Sequence, residues 1–166
     1  MGEATPWRAR CGLLILAGCA AALPGTTLAE ALEASAGASS PAPTGDLSLV
    51  VRNLRSTKGM IRACLTRNPA FFPKCEHDPL ARKVSIAAQG NGRVNFADLP
   101  PGDYALMVLH DENGNAKIDT MLGIPKEGVG FSRNPVLRFG PPKWDAVRIH
   151  VPSGPSATDV TMKYFL

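Results

Sequence analysis

FADLPPGDYALMVLHDENGNAKID, residues 96–119, runs a tight turn, a strand and a polar loop in immediate succession. Proline fixes φ at one turn position and Gly102 allows a positive φ at another, so Leu99 to Gly102 reverses the chain between two extended runs. From Tyr104 to Leu109 nearly every residue is apolar, as in a central strand covered on both faces.

Strict alternation surrounds this stretch. Leu47, Leu49 and Val51 alternate with Ser48, Val50 and Arg52; Val147, Ile149 and Val151 with Arg148 and His150; Val160, Met162 and Tyr164 with Thr161 and Lys163. Apolar residues at every second position make half-buried strands. Further strands fit Met60 to Thr66, Val84 to Ala88, Arg93 to Phe96 and Tyr104 to His110, while 15 prolines and 16 glycines interrupt any long helical pattern. These runs predict an all-β fold over residues 46–166, a single antiparallel β-sandwich of about seven or eight strands, prealbumin-like or immunoglobulin-like.

The N-terminus has a different character. Arg8 and Arg10 precede an apolar run, Cys11 to Leu23, too short to span a bilayer as a helix. Thr27-Leu28-Ala29 then offers the small-x-small pattern of signal cleavage, which predicts a signal peptide over residues 1–29. Leu16-Ala17-Gly18-Cys19 resembles a bacterial lipobox, so the alternative product is an outer-membrane lipoprotein anchored through Cys19. Residues 30–45 are rich in Ala, Ser, Pro and Gly without periodicity and read as a disordered linker. The expected location is periplasmic or secreted, with no transmembrane helix in the mature chain.

Cysteine and charge agree with export. With Cys11 and Cys19 lost or lipidated, Cys64 and Cys75 remain, in a compartment that permits a disulfide between them. There is no CxxC, and His77 alone does not complete a zinc set. Removing residues 1–29 takes away Arg8, Arg10 and Glu3, which leaves a net charge one unit below the +4 of the whole chain. The basic residues are scattered singly, without a stripe interleaved with aromatics, which argues against nucleic-acid binding.

The strand-turn-strand wording around Pro100 to Tyr104 resembles the prealbumin-like sandwiches of collagen-adhesin B-type repeats and carboxypeptidase regulatory-like domains, which implies a structural or binding module. Taken whole, the segment from about Asp46 to Leu166 resembles the bacterial family called domain of unknown function 2141. The residues that carry this are the Leu99 to Tyr104 turn, His110-Asp111-Glu112-Asn113-Gly114-Asn115, Lys117-Ile118-Asp119-Thr120, Gly123 to Gly128, Gly130-Phe131-Ser132-Arg133-Asn134 and Gly140-Pro141-Pro142. The resemblance implies an exported β-rich domain and assigns no activity. At Ala116 the chain departs from the glycine of such members.

Asp111-x-Asn113-x-Asn115-x-Lys117-x-Asp119 places oxygen-bearing side chains at four of five alternate positions, all but Lys117, as a calcium-binding loop does. Ala116 stands where an EF-hand has glycine and Leu122 where it has a bidentate acid, so calcium would be held weakly. The competing reading is a metal-free hairpin with a type I′ turn at Asn113-Gly114. His110, Lys126, Glu127, Ser132, Arg133 and Asn134 form a candidate ligand-binding loop beside it. Gly128-x-Gly130 lacks the residues of a phosphate loop. Ser132, His110 and an aspartate have the residue types of a hydrolytic triad, but Gly130-Phe131-Ser132-Arg133-Asn134 is not a nucleophile elbow. The sequence therefore favours an exported, non-catalytic binding or structural module whose partner is an envelope protein or glycan. The alternatives are a carbohydrate- or peptide-binding module with Trp144 or Phe131 beside a groove, and a hydrolase that uses Ser132 and His110.

Overall fold

A computed structural model describes residues 42–89, 92–138 and 140–166; the predicted signal peptide, Cys19 and most of the predicted linker lie outside them. The chain forms β1 (Gly45–Arg52), β2 (Met60–Thr66), two 3-10 turns (Pro69–Phe71 and Cys75–His77), β3 (Arg82–Ala87), β4 (Arg93–Leu99) and β5 (Gly102–Asp111). It continues with β6 (Thr120–Met121), β7 (Ile124–Pro125), β8 (Gly128–Phe131), one turn of helix α1 (Trp144–Val147), β9 (Ile149–Val151) and β10 (Gly154–Thr161).

Two sheets enclose the main core. One has the order β10-β1-β4 and the other β3-β2-β5-β8, with β9 beside the start of β5. Leu47, Leu49 and Val51 of β1, with Val94 and Phe96 of β4 and Val160 of β10, meet Ile61, Ala63 and Leu65 of β2 and Tyr104, Leu106 and Val108 of β5. The all-β sandwich predicted by alternation is thus the fold. It differs in four places. Gly128–Phe131, within the stretch read as a loop, forms β8 and pairs with β5. β1 and β10 pair in parallel, from Gly45 opposite Gly154 to Arg52 opposite Thr161, because the first and last strands enter the sheet from the same end. Val147 ends the α1 turn instead of starting a strand, so only Ile149–Val151 pairs. The last strand runs earlier than its alternation suggests, although Met162 is still buried.

β5 is buried on both faces, as its continuous apolar run requires. Its outward residues Ala105, Met107 and Leu109 lie under a second cluster with Val129, Phe131 and Val147, onto which Phe72, Leu137 and Trp144 pack. Phe72 meets Phe131 edge-on with centroids 5.7 Å apart and Trp144 at 6.1 Å. The Cys64–Cys75 disulfide, with Cα atoms 6.0 Å apart, ties the loop that carries Phe72 to β2. Closing so short a loop contributes about 3 kcal/mol by restricting the unfolded chain. Tyr104 keeps its ring in the core while its hydroxyl donates to the Pro100 carbonyl at 2.6 Å, which links the turn to the strand.

The inner face of β8 is glycine for a packing reason. A Cβ on Gly130 would lie 2.4 Å from Cγ1 of Val160, and one on Gly128 would lie 2.4 Å from the Tyr164 ring. This close approach lets the chain after β10 reach β8, where Val129 and Lys163 exchange both backbone hydrogen bonds at 3.0 and 2.8 Å. Gly130→Ala is expected to overpack this contact and lower stability by about 1–3 kcal/mol, read as a shifted midpoint with unchanged slope in urea unfolding.

Candidate functional site

β5 runs directly into the polar loop, and Asp111, its last residue, organises that loop. The Asp111 carboxylate is fully buried. One oxygen accepts from the backbone N–H groups of Gly114 (2.8 Å) and Asn115 (3.1 Å), the other from Ala116 N–H (2.9 Å) and from Nε of Arg62 (2.5 Å). Burial pushes this carboxyl up, but the Arg62 bond and the backbone donors outweigh it and hold its pKa below the ordinary 3.8. The chain wraps around Asp111, so Ala116 takes a φ of 61° despite its Cβ. Asn113 and Asn115 continue the wrap: their side-chain oxygens accept from Asn115 N–H (3.0 Å) and Lys117 N–H (2.8 Å), and their amides donate to Asp119 (2.6 and 2.9 Å). Asn113-Gly114 is therefore part of a wrapped loop and not the tip of a hairpin.

The hairpin turn falls later, at Leu122-Gly123, between β6 and β7. Both residues have positive φ, 52° and 78°, the geometry of a type I′ turn that normally selects Asn, Asp or Gly. Glu127 returns from the hairpin to the loop and accepts from Glu112 N–H (3.1 Å) and Asp119 N–H (3.4 Å). Burial raises its pKa above the ordinary 4.5, and the nearby Asp111 and Asp119 charges push the same way. Asp111, Asn113, Asn115, Asp119 and Glu127 thus bring oxygen-bearing side chains to one loop. Both Asp111 oxygens and the Asn113 and Asn115 side-chain oxygens, however, accept hydrogen bonds within it, and among the described residues no group of three or more His, Cys, Asp or Glu is placed to hold a metal ion.

The remaining predicted site residues have structural partners. His110 is buried. Its Nε2 lies 3.0 Å from the Lys58 carbonyl, which can only accept, so Nδ1 accepts from the Tyr164 hydroxyl at 2.8 Å. Glu112 is gripped by Arg55 (Nε at 3.0 Å, Nη2 at 2.5 Å) and by the Ser56 hydroxyl, and these lower its pKa against the opposing effect of burial.

Ser132 is 0% exposed; its Oγ donates to the Val147 carbonyl (2.5 Å) and accepts from Leu106 N–H (3.1 Å). It thereby fills the gap where β5 passes from β9 to β8, and no hydrogen bond joins it to His110 among the described residues. Arg133 donates to the Asp145 carbonyl, and Asn134 bridges Asp159 and Thr161 N–H. Lys126 is exposed, and its carbonyl accepts from Arg55. Phe131 is buried and Trp144 is half-buried against Phe72, so neither is an exposed aromatic platform.

An apolar cleft of about 700 Å³ lies beside the loop, and sequence reasoning did not find it. Met107, Val129 and Phe131 form its floor, the hairpin residues Ile118, Leu122, Ile124 and Pro125 one wall, and Pro73, Lys74 and Glu76 of the disulfide-tied loop another. Leu137, Arg138, Gly140, Pro141 and Phe165 add to the lining. These residues lie far apart in sequence and follow no common period, so only the exposed apolar character of the hairpin could have pointed to it. Leu122 is 97% exposed, and Ile118, Met121, Ile124 and Phe165 are each more than 40% exposed. Such a concentration on one hairpin and its neighbour is unlike singly scattered surface apolar residues.

Asp111→Asn is expected to destabilise the protein at neutral pH by about 2–4 kcal/mol, because Arg62 loses its charged partner and at least one N–H loses its acceptor. A depressed carboxylate pKa gives stability that is present above 3.8 and lost as the pH falls through the lower folded value. The gap between wild type and variant in urea titrations should therefore be full at pH 7 and shrink below pH 3.8. Glu127 acts in the opposite sense: its raised pKa makes it most unfavourable above the folded value, so it adds no acid lability.

No curated protein and no solved structure matches the chain. A family described as "Uncharacterized protein conserved in bacteria (DUF2141)" matches residues 49–160, which run from the middle of β1 almost to the end of β10 and include the wrapped loop, the hairpin and β8. The match takes in both sheets, the loop and, Phe165 apart, the residues lining the cleft, and the chain belongs to the DUF2141 family.

Proposed function

We propose that this domain is an exported, non-catalytic binding module whose ligand surface is the apolar cleft between the β6–β7 hairpin and the outer face of β5 and β8. The observation that carries this reading is Leu122. A leucine at the first position of a type I′ turn strains the backbone, and at 97% exposure it leaves its whole side chain in water. Either feature alone disfavours leucine where asparagine would serve, and contact with a bound apolar molecule supplies the missing compensation. A concave apolar site of this size is usual for a small ligand. The non-catalytic reading is supported by Ser132 and His110, whose hydrogen-bonding atoms are occupied by the fold.

The neutral fluorophore N-phenyl-1-naphthylamine should bind the wild type with enhanced emission. Leu122→Asn should weaken that binding about fivefold, the worth of roughly 1 kcal/mol of apolar contact, while the thermal midpoint holds or rises because Asn suits a positive φ. An unstained wild type, or equal binding by the variant, would remove the cleft as the ligand surface.

The wrapped loop supports a second reading, calcium, in which an ion takes over oxygens now used inside the loop and Glu127, which accepts from Asp119 N–H, offers the acid that Leu122 does not. Asp111, Asn113, Asn115, Asp119, Glu127 and the Lys117 carbonyl would hold the ion, and bound calcium would neutralise carboxylates that otherwise repel. Arg62 already pairs with Asp111, so the expected dissociation constant is of the order of 10⁻⁴–10⁻³ M, as in extracellular modules. At tenfold excess the ion adds about 1.4 kcal/mol of stability. The melting temperature should rise in millimolar calcium relative to chelator, and Asp119→Asn with Glu127→Gln should abolish the rise. No shift in the wild type would leave a self-sufficient hydrogen-bonded loop.

A further inference from the structure

We infer that the cleft takes a single-chain amphiphile with an anionic head, its chain on Met107, Val129 and Phe131 and its head at Lys74 and Arg138. This rests on the reading of the cleft as a ligand site and adds the chemistry of the ligand. The argument is one of charge complementarity. Three charged residues line the cleft, Lys74, Glu76 and Arg138. Glu76 has His77 Nε2 at 3.8 Å. Among the described residues neither Lys74 nor Arg138 has an ion pair or a side-chain hydrogen bond, and of the cations without one these two line the cleft. Two cations against one carboxylate leave the lining of this apolar hollow with one net positive charge, so it offers a floor to an apolar chain and a partner to an anionic head.

Both cations sit on anchored backbone. Lys74 adjoins Cys75, which is buried and disulfide-bonded, and Arg138 adjoins Leu137, which packs on the outer core cluster. Their placement beside the apolar floor is therefore a property of the fold. A membrane surface would call for a cluster of four or more basic residues on an exposed apolar face. Two cations around a hollow fit one molecule with one charge better.

The test is displacement of N-phenyl-1-naphthylamine from the folded protein by submicellar decanoate, decanol and decyltrimethylammonium, which share a chain and differ in head charge. Decanoate should displace the dye at a concentration at least about tenfold below that of the ammonium compound, and salt should narrow the gap. Lys74→Gln with Arg138→Gln should abolish the preference and leave decanol within about twofold of wild type. Equal displacement by all three, or a preference that survives the double variant, overturns the inference and leaves the apolar site standing. Failure of the dye to bind overturns both. Sedimentation with phosphatidylglycerol vesicles without displacement by decanoate would assign the cations to a membrane surface, and a concentration-dependent dimer that excludes the dye would assign the cleft to a second copy; either result overturns the inference.

Discussion

Every other feature of this domain depends on β5 being buried on both faces. A strand with apolar residues at nearly every position cannot leave one side in water, so the sandwich core covers Tyr104, Leu106 and Val108 while separate irregular segments must cover Ala105, Met107 and Leu109. The loop tied by Cys64–Cys75, the α1 turn and the segment around Leu137 supply that cover. Over Met107, in the middle of β5, a cleft remains, with the hairpin as one of its walls. The cleft is thus the uncovered remainder of a surface that the strand obliges the protein to cover, which is why its floor consists of core residues.

The polar loop serves the same geometry from the other side. Asp111 ends β5, binds Arg62 across from β2 and collects three backbone N–H groups, so the chain leaves the sheet in a defined direction. Glu127 closes the excursion by binding N–H groups on both limbs. The hairpin carrying Leu122 is therefore tethered at its base by a buried network whose members satisfy one another, and such networks rigidify when complete. Anything that alters the charge of that network, protonation or a cation, acts at the base of one wall of the cleft.

Several residues that look chemical are structural for an identifiable reason. Ser132 lies where β5 exchanges one edge partner for another, and a hydroxyl can both donate and accept, so it satisfies the Val147 carbonyl and Leu106 N–H together. His110 at the buried end of β5 needs two partners and finds them in Tyr164 and Lys58. A buried polar group without partners would cost several kcal/mol, so these side chains are chosen by the hydrogen-bonding needs of sheet boundaries.

The sequence by itself determined the alternating strands, though not β6, β7 or β8, together with the turn at Pro100 to Gly102, the doubly covered β5 and the disulfide partners, because alternation, proline and glycine constraints and cysteine number act locally. It also marked Asp111 to Asp119 as an oxygen-rich loop. It could not convey anything that depends on which strands become neighbours. The parallel β1–β10 pair, the employment of Ser132 at a strand junction and the return of Glu127 to Asp119 join residues 8 to more than 100 positions apart. The turn at Leu122-Gly123 ran against local preference, so Asn113-Gly114 drew the reading instead. The cleft was least legible of all. Its walls are brought together by a disulfide, a hairpin and the outer face of β5, and only their packing makes a common surface of residues that are each ordinary in the chain.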